Sequence, residues 1–161
     1  MNRAGSLTPG GTPDRGKGAS LETGTPSSAA ALHQVFPAVA TSVRAVRKAL
    51  GQFAQEVGLP AEKRDAVALA ASEAATNVVV HAYADQEVPG TIEVNAAVAA
   101  DELWVIVTDT GVGLRPRLDS PGLGLGLAII AQLADGVDLV RPTAGGVELR
   151  MRFALTTDVA G

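Results

Sequence analysis

The chain has 161 residues, enough for one domain with additional segments, and its content of 47% hydrophobic and 19% charged residues is typical of a globular protein. It contains no cysteine, which excludes disulfides and cysteine-based zinc sites and favours a reducing compartment. A net charge of −4 without a basic cluster argues against nucleic-acid binding, and neither a membrane-spanning run nor a secretory signal is visible, so we expect a cytoplasmic protein.

The two ends of the chain differ in composition from its centre. Residues 1–30 are rich in glycine, serine, threonine and proline and almost lack large apolar side chains. Such a segment cannot bury enough surface to offset the entropy lost on ordering, so we expect a disordered tail. One domain is predicted over residues 31–156, and residues 157–161 form a short C-terminal tail.

Two helices are predicted in the first half of the domain. Apolar residues recur at spacings of three and four from Val39 to Val57, which is one stripe of an amphipathic helix. Gly58 ends this helix, and Pro60 opens the next at a position where its missing N–H costs nothing. The second helix is predicted to extend towards Ala82.

The second helix carries a row of polar side chains. Glu73, Asn77 and His81 are spaced by four residues, so an α-helix places them on one face, amid mostly small apolar residues. A carboxylate, an amide and an imidazole are costly to bury without partners. The row therefore either faces water or belongs to a functional site. For His81 alone, a structural role is the preferred interpretation.

Short apolar runs predict the strands. Residues 32–36 form a short extended segment, and the strands over residues 91–95 and 103–107 are expected to form an antiparallel pair. Two further strands are predicted over residues 137–140 and 147–155, and the second has one solvent-exposed and one buried face. The order of elements predicts a two-layer α/β sandwich with helices on one face of a mixed, mostly antiparallel sheet.

A carboxylate followed by alternating glycines stands at the end of one predicted strand. Asp109 follows the strand over residues 103–107, and Gly111 and Gly113 come after it. Two glycines around a small apolar residue suggest that something approaches the backbone closely. The alternative is a turn that the aspartate initiates, with no functional role.

A second glycine run follows the polar segment over residues 114–121, which we expect to be a mobile lid. Gly122, Gly124 and Gly126 open a helical apolar pattern that continues through Leu133. The free N–H groups and the positive dipole end at such a helix start are suited to phosphate. The alternative is close packing of the helix against the sheet.

These three stretches together resemble the nucleotide-binding fold shared by gyrase, Hsp90, the sensor histidine kinases and the mismatch-repair ATPases. Within that fold, Ser-Glu-Ala-Ala-Thr-Asn over residues 72–77 followed by His-Ala-Tyr over residues 81–83 resembles the anti-sigma-factor serine/threonine kinases. The resemblance covers residues 32–153. It implies the Bergerat-type ATP-binding fold for this domain.

The resemblance also implies a site for ATP and Mg²⁺. Asp109 would accept a hydrogen bond from the adenine amino group, and Gly111 and Gly113 would let the base and sugar lie against the backbone. Asn77 would bind Mg²⁺ through its amide oxygen, and Glu73 would act as general base on a serine hydroxyl. The remaining implied ATP-binding residues lie in and after the glycine run: Gly122, Gly124, Gly126 and Leu127.

The implied function is that of a kinase which binds a sigma factor and uses ATP to phosphorylate an anti-anti-sigma protein of the STAS type. The resemblance also implies a homodimer, and no contact with nucleic acid or a membrane is expected. The alternative is a non-catalytic partner-switching protein of the same fold. A histidine kinase is disfavoured because it needs a phosphoacceptor histidine on a dimerising helical hairpin, where neither His33 nor His81 lies.

One residue departs from the pattern of the fold. A Gly-Thr pair usually opens the last strand, whereas here Gly145 and Gly146 are followed by Val147, which has no hydroxyl. The loss of one hydrogen bond costs about 0.5–1.5 kcal/mol, so we expect nucleotide affinity to be lower by up to roughly tenfold. Glu73 favours the kinase, and Val147 leaves the non-catalytic alternative open.

Overall fold

The computed structural model describes residues 31–83, 86–111 and 123–156. The expected tails over residues 1–30 and 157–161, and the expected lid over residues 114–121, lie outside these ranges. The described elements, in chain order, are β1 (Ala31–Pro37), α1 (Ala40–Glu56), α2 (Ala61–Asn77), a π turn (Val78–Ala82), β2 (Thr91–Ala99), β3 (Glu102–Asp109), α3 (Leu123–Leu133), β4 (Gly136–Val140) and β5 (Val147–Ala154).

The strands form one sheet in the order β1-β2-β3-β5-β4. All four neighbouring pairs of described strands are antiparallel. The prediction of a mixed, mostly antiparallel sheet is therefore corrected to a fully antiparallel one in this part of the chain. The reason is the order of the elements. Helix α3 follows β3 and leads into the outer strand β4, and a hairpin then returns the chain as β5, which lies between β3 and β4. The predicted α/β sandwich is confirmed.

The core lies between the helices and one face of the sheet. Alternate residues of β3 and β5 are buried while their neighbours are only partly covered, as expected for a sheet with one packed face. Helix α2 lies between α1 and α3. Its buried alanines, among them Ala70 and Ala74, have side chains short enough for the neighbouring helices to approach closely.

The second helix ends in a way that its sequence did not indicate. Helical structure continues to Ala82 as predicted, but Val78–Ala82 form a π turn rather than a last α turn. A π turn bonds residues five apart, so the four-residue spacing between Asn77 and His81 no longer aligns their side chains as an α-helix would. His81 is half-buried there. None of the helices in the described ranges is both long and apolar enough to cross a membrane.

Candidate functional site

Two of the predicted site residues on α2 face Gly126, the last glycine of the run. A Cβ atom built on Gly126, in α3, would lie 3.2 Å from a carboxylate oxygen of Glu73 and 3.2 Å from the amide oxygen of Asn77. A side chain at position 126 would therefore press on both polar groups, which would have to shift by a few tenths of an ångström. The structure thus brings together a carboxylate, an amide and the first turns of a helix.

Neither Glu73 nor the amide nitrogen of Asn77 is hydrogen-bonded to another group within the described part of the chain. Glu73 is half-buried and forms no hydrogen bond or ion pair with any residue that the structure describes. Asn77 is 6% exposed, and its amide nitrogen is buried without a partner in the same part of the chain. A buried, unpaired amide costs about 1–3 kcal/mol, so its presence points to a ligand that completes its hydrogen bonds.

Asp109 ends β3 and is 3% exposed. Its carboxylate accepts a hydrogen bond from the backbone N–H of Gly111 at 3.0 Å and another from the backbone N–H of Val147. Burial raises the pKa of Asp109, and these two hydrogen bonds, which favour the ionised form, only partly oppose that effect. The result is a buried hydrogen-bond acceptor at the end of the central strand of the sheet.

A small pocket connects Asp109 with α2. Its volume is about 10 Å³, which is room for one water molecule and far less than a purine base needs. A base can enter only if the walls move apart. Val147 lies in the wall beside Asp109, at the place where the usual threonine would offer a hydroxyl. The lining consists of Ala74, Asn77, Val78, Val107, Asp109, Val147 and Leu149.

Backbone segments approach Asp109 closely from both sides. A Cβ atom on Gly111 would lie 2.1 Å from the carbonyl oxygen of Ala82, and one on Gly146 would lie 1.9 Å from the carbonyl oxygen of Asp109 itself. Gly146 also has a φ of +82°, which L side chains rarely adopt. The close approach predicted at Gly111 therefore exists, but the approaching group is the protein's own backbone at the π turn.

The remaining predicted site residues are placed less closely. Gly124 lies in the first turn of α3, and Leu127 is partly buried and packs against the core. Gly113 and Gly122 lie outside the described residues. No group of three or more histidine, cysteine, aspartate or glutamate side chains that could hold a metal is found among the residues described.

Sequence reasoning did not assign a role to Tyr83. The structure places its hydroxyl among backbone groups of Thr91 and Thr110, immediately beside Asp109. The only available signals were that Tyr83 is the one tyrosine of the chain and that it ends the His-Ala-Tyr sequence quoted above. Neither signal predicts contacts with residues 8 and 27 positions away.

The sequence of the chain is similar to that of known proteins. Residues 36–153 match the family model described as the histidine kinase-like ATPase domain. The chain is 30% identical over 142 residues to the serine-protein kinase RsbW of Halalkalibacterium halodurans, an alignment that spans 79% of this chain and 85% of that protein. It is 28% identical over 127 residues to the anti-sigma F factor of Clostridium acetobutylicum, which spans 70% of this chain and 86% of that protein.

Two solved structures show the same fold. The RsbU and RsbW domains of a Mycobacterium tuberculosis protein superpose with a TM-score of 0.62 at 27% identity, covering 78% of this chain but only 32% of that longer chain. The histidine kinase domain of a blue-light activated kinase from Erythrobacter litoralis superposes with a TM-score of 0.52 at 21% identity, covering 68% of this chain and 61% of that chain. The second similarity concerns the fold alone.

Proposed function

Since the chain belongs to the histidine kinase-like ATPase family, within its group of anti-sigma-factor serine kinases, we propose that it is an ATP-dependent serine/threonine kinase that controls a sigma factor by partner switching. Its proposed partners are a sigma factor and an anti-anti-sigma protein of the STAS type. Relatives named anti-sigma F factor and serine-protein kinase support this choice. With such partners its place of action is the cytoplasm, and a homodimer stays a prediction.

One observation carries the proposal: Asn77 belongs to both halves of the candidate site. It contacts the glycine position of α3 on one side and lines the Asp109 pocket on the other. A nucleotide whose base lies at Asp109 would therefore have its phosphates near Glu73, Asn77 and the start of α3. This is the order that phosphoryl transfer from ATP requires, with base recognition and phosphate handling at opposite ends of one site.

Each side chain has a role that fits its surroundings. The buried carboxylate of Asp109 would accept a hydrogen bond from the adenine amino group. The backbone N–H groups at the start of α3 would bind the phosphates. The amide oxygen of Asn77 faces the Gly126 position, where it could bind Mg²⁺, and its buried nitrogen would remain free to donate to a ligand. Bound Mg²⁺ would neutralise phosphate charge.

Glu73 is the proposed general base because it is half-buried and unengaged beside the phosphate end of the site. In the reaction, a serine oxygen of the partner would form a bond to the γ-phosphorus of ATP as the bond to the β–γ bridging oxygen breaks. The serine proton would pass to the carboxylate of Glu73, and ADP would leave. The rest of the catalysis would be positioning and charge stabilisation.

The test is phosphate transfer from ATP to the STAS-type partner by Glu73→Gln, which keeps the size of the side chain and removes the base. We expect the transfer rate to fall about 10²- to 10⁴-fold, while the affinity for ADP changes by less than about twofold. Glu56→Gln, at an exposed position on α1, is the matched control and should transfer phosphate at the native rate. Native transfer rates in Glu73→Gln would remove Glu73 from the mechanism.

A non-catalytic partner switch is the second candidate, and the narrow pocket beside Val147 favours it. In that case nucleotide, or the partner alone, would change which protein is bound without any phosphate transfer. The same Glu73→Gln variant separates the candidates when ATP-dependent exchange of sigma factor for the anti-anti-sigma protein is measured. Exchange that is identical to the native protein's would favour the non-catalytic switch, and altered exchange would favour the kinase.

A further inference from the structure

The hydroxyl of Tyr83 occupies the place where the next strand pair would form. The β2–β3 ladder ends at the pair Ile92–Asp109, and in the same register Thr91 would face Thr110. Instead, the Tyr83 hydroxyl donates to the Thr91 carbonyl at 2.9 Å and accepts from the N–H groups of Thr91 at 3.2 Å and Thr110 at 3.1 Å. The hydroxyl of Thr110 is a further partner, 3.3 Å from the same oxygen. Because a hydroxyl has only one donor and two acceptor positions, the Tyr83 hydroxyl is fully occupied.

The ring of Tyr83 is buried and packs against two glycines, Gly90 and Gly111. Tyr83 is 7% exposed, and a Cβ atom on Gly90 would lie 2.0 Å from a ring carbon. A Cβ atom on Gly111 would lie 3.0 Å from the same ring carbon. A glycine therefore stands next to each of the two threonines that the hydroxyl joins. The ring fills the space that both glycines leave free.

This arrangement links the two halves of the nucleotide site. Tyr83 directly follows the π turn, which directly follows Asn77 at the end of α2. Thr110 directly follows Asp109 at the end of β3. We propose that Tyr83 is a positioning residue that sets the distance between Asn77 and Asp109 and so determines how well the site binds and recognises adenine. The inference rests on the nucleotide site proposed above.

Loss of the Tyr83 hydroxyl should affect the adenine-binding end of the site, at Asp109. Without it, the N–H of Thr110 has no partner in the described structure, and the segment after Asp109 is free to pair directly with Thr91. Either change would move the Asp109 carboxylate in a pocket whose volume is only about 10 Å³. The phosphate end, at Glu73 and Gly126, does not touch Tyr83 through any of these contacts.

The experiment compares Tyr83→Phe with the native chain by calorimetric titration of three ligands. ADP tests the whole site, IDP lacks the exocyclic amino group that Asp109 would recognise, and inorganic tripolyphosphate tests the phosphate end alone. We expect the preference for ADP over IDP to fall roughly 3- to 10-fold, the worth of one hydrogen bond. The affinity for tripolyphosphate should not change. A merely structural role would lower the affinity for all three ligands and leave the preference unaltered.

The control is Thr108→Val, which removes a hydroxyl from the face of β3 opposite to the buried Asp109. It should bind all three ligands like the native chain. A Tyr83→Phe variant with the native preference for ADP would overturn the inference and leave the proposed function standing. A native chain that does not bind ADP would contradict the nucleotide site itself, so the two failures are distinguishable.

A measurement on the native chain covers the case in which Tyr83→Phe does not fold. Hydrogen exchange of the Thr110 amide reports directly on its bond to the Tyr83 hydroxyl. We expect this amide to be protected although it lies beyond the last strand pair of β3. An amide that exchanges as fast as an open loop would show that the hydroxyl does not hold this segment, and the inference would be overturned.

Discussion

At the scale of single residues, Asp109 shows how the fold stabilises a buried carboxylate at the end of its central strand. The side chain is almost fully buried, and two backbone N–H groups partly replace the water that it has lost. The balance is incomplete because burial is the largest influence on its pKa and raises it. A group that is costly to bury and leaves a pocket beside it is suited to bind a ligand with a complementary donor.

The raised pKa of Asp109 predicts how stability depends on pH. The folded protein keeps the proton of Asp109 at pH values where the unfolded chain has lost it, so ionisation favours unfolding. Compared with Asp109→Asn, the native free energy of unfolding should therefore fall as pH rises from about 3.9 towards the raised pKa, and stay level above it. Urea unfolding of both proteins between pH 3.5 and 7, roughly, measures the difference.

Asp138→Asn, at an exposed position on β4, is the control for replacing an aspartate elsewhere on the sheet. Its difference from the native protein should not show the fall expected for Asp109. A native-minus-Asp109→Asn difference that rises with pH would have the opposite sign. It would mean that the hydrogen bonds from Gly111 and Val147 outweigh burial, and that the pKa of Asp109 lies below its ordinary range.

At the scale of elements, the hairpin between β4 and β5 leads directly into the wall of the candidate pocket, which Val147 lines together with Asp109. Gly145 and Gly146 form its end with φ values of +96° and +82°, and Val147 follows in register with Asp109. The two glycines differ in one respect. A side chain on Gly145 would enter open space, whereas one on Gly146 would collide with the carbonyl of Asp109.

This difference predicts unequal effects of the same substitution. Gly145→Ala adds only backbone strain and should lower the free energy of unfolding by about 1–2 kcal/mol. Gly146→Ala adds the same strain and must also push β5 away from Asp109, so we expect a loss of roughly 3–5 kcal/mol. Urea unfolding of the two variants measures both values. Equal losses would show that the hairpin end can move away from β3 without cost.

Local sequence patterns were sufficient to predict the helices and strands, but not the contacts that bring the site residues together. The apolar stripe that ends at Gly58 and the alternation in β5 predicted structures that are confirmed, because each depends on residues close in sequence. The pairing of Glu73 and Asn77 was predictable from helical spacing. The family resemblance implied only that they share an ATP site with Gly126, and their contact with it was not predicted. The roles of these residues stay predictions.

The π turn and Tyr83 could not be predicted because their causes are not local. Nothing in Val78–Ala82 alone favours a π turn over an α turn. The turn is accompanied by contacts that only the folded chain makes: the Ala82 carbonyl lies against Gly111, and the Tyr83 hydroxyl reaches Thr110. Periodicity describes which face of an element is buried, and it contains no information about such long-range contacts.

At the scale of the whole molecule, helix α2 connects the parts on which the proposed activity depends. It packs between α1 and α3 through small side chains, carries Glu73 and Asn77 near its C-terminal end, and leads through the π turn to Tyr83. A ligand that joins Asp109 to Asn77 would add contacts between the sheet and the helix layer. Such a ligand should therefore stabilise the entire fold rather than one loop.

Thermal unfolding with and without Mg·ATP tests this coupling. A ligand at one hundred times its dissociation constant adds about 2.7 kcal/mol, which corresponds to a rise in Tm of roughly 5–11 °C. The shift should be lost in Asp109→Asn and kept in Glu73→Ala, which removes the base but not the binding site.

Val147→Thr should reach the native shift in Tm at up to roughly tenfold lower ATP concentration, because it adds a hydroxyl beside Asp109. Val147→Ala, which changes the same side chain without adding a hydroxyl, should show no such gain. If even high concentrations of ATP leave the native Tm unchanged while Val147→Thr responds, the pocket of the native chain is disabled, and a partner switch without nucleotide becomes the better description of the protein.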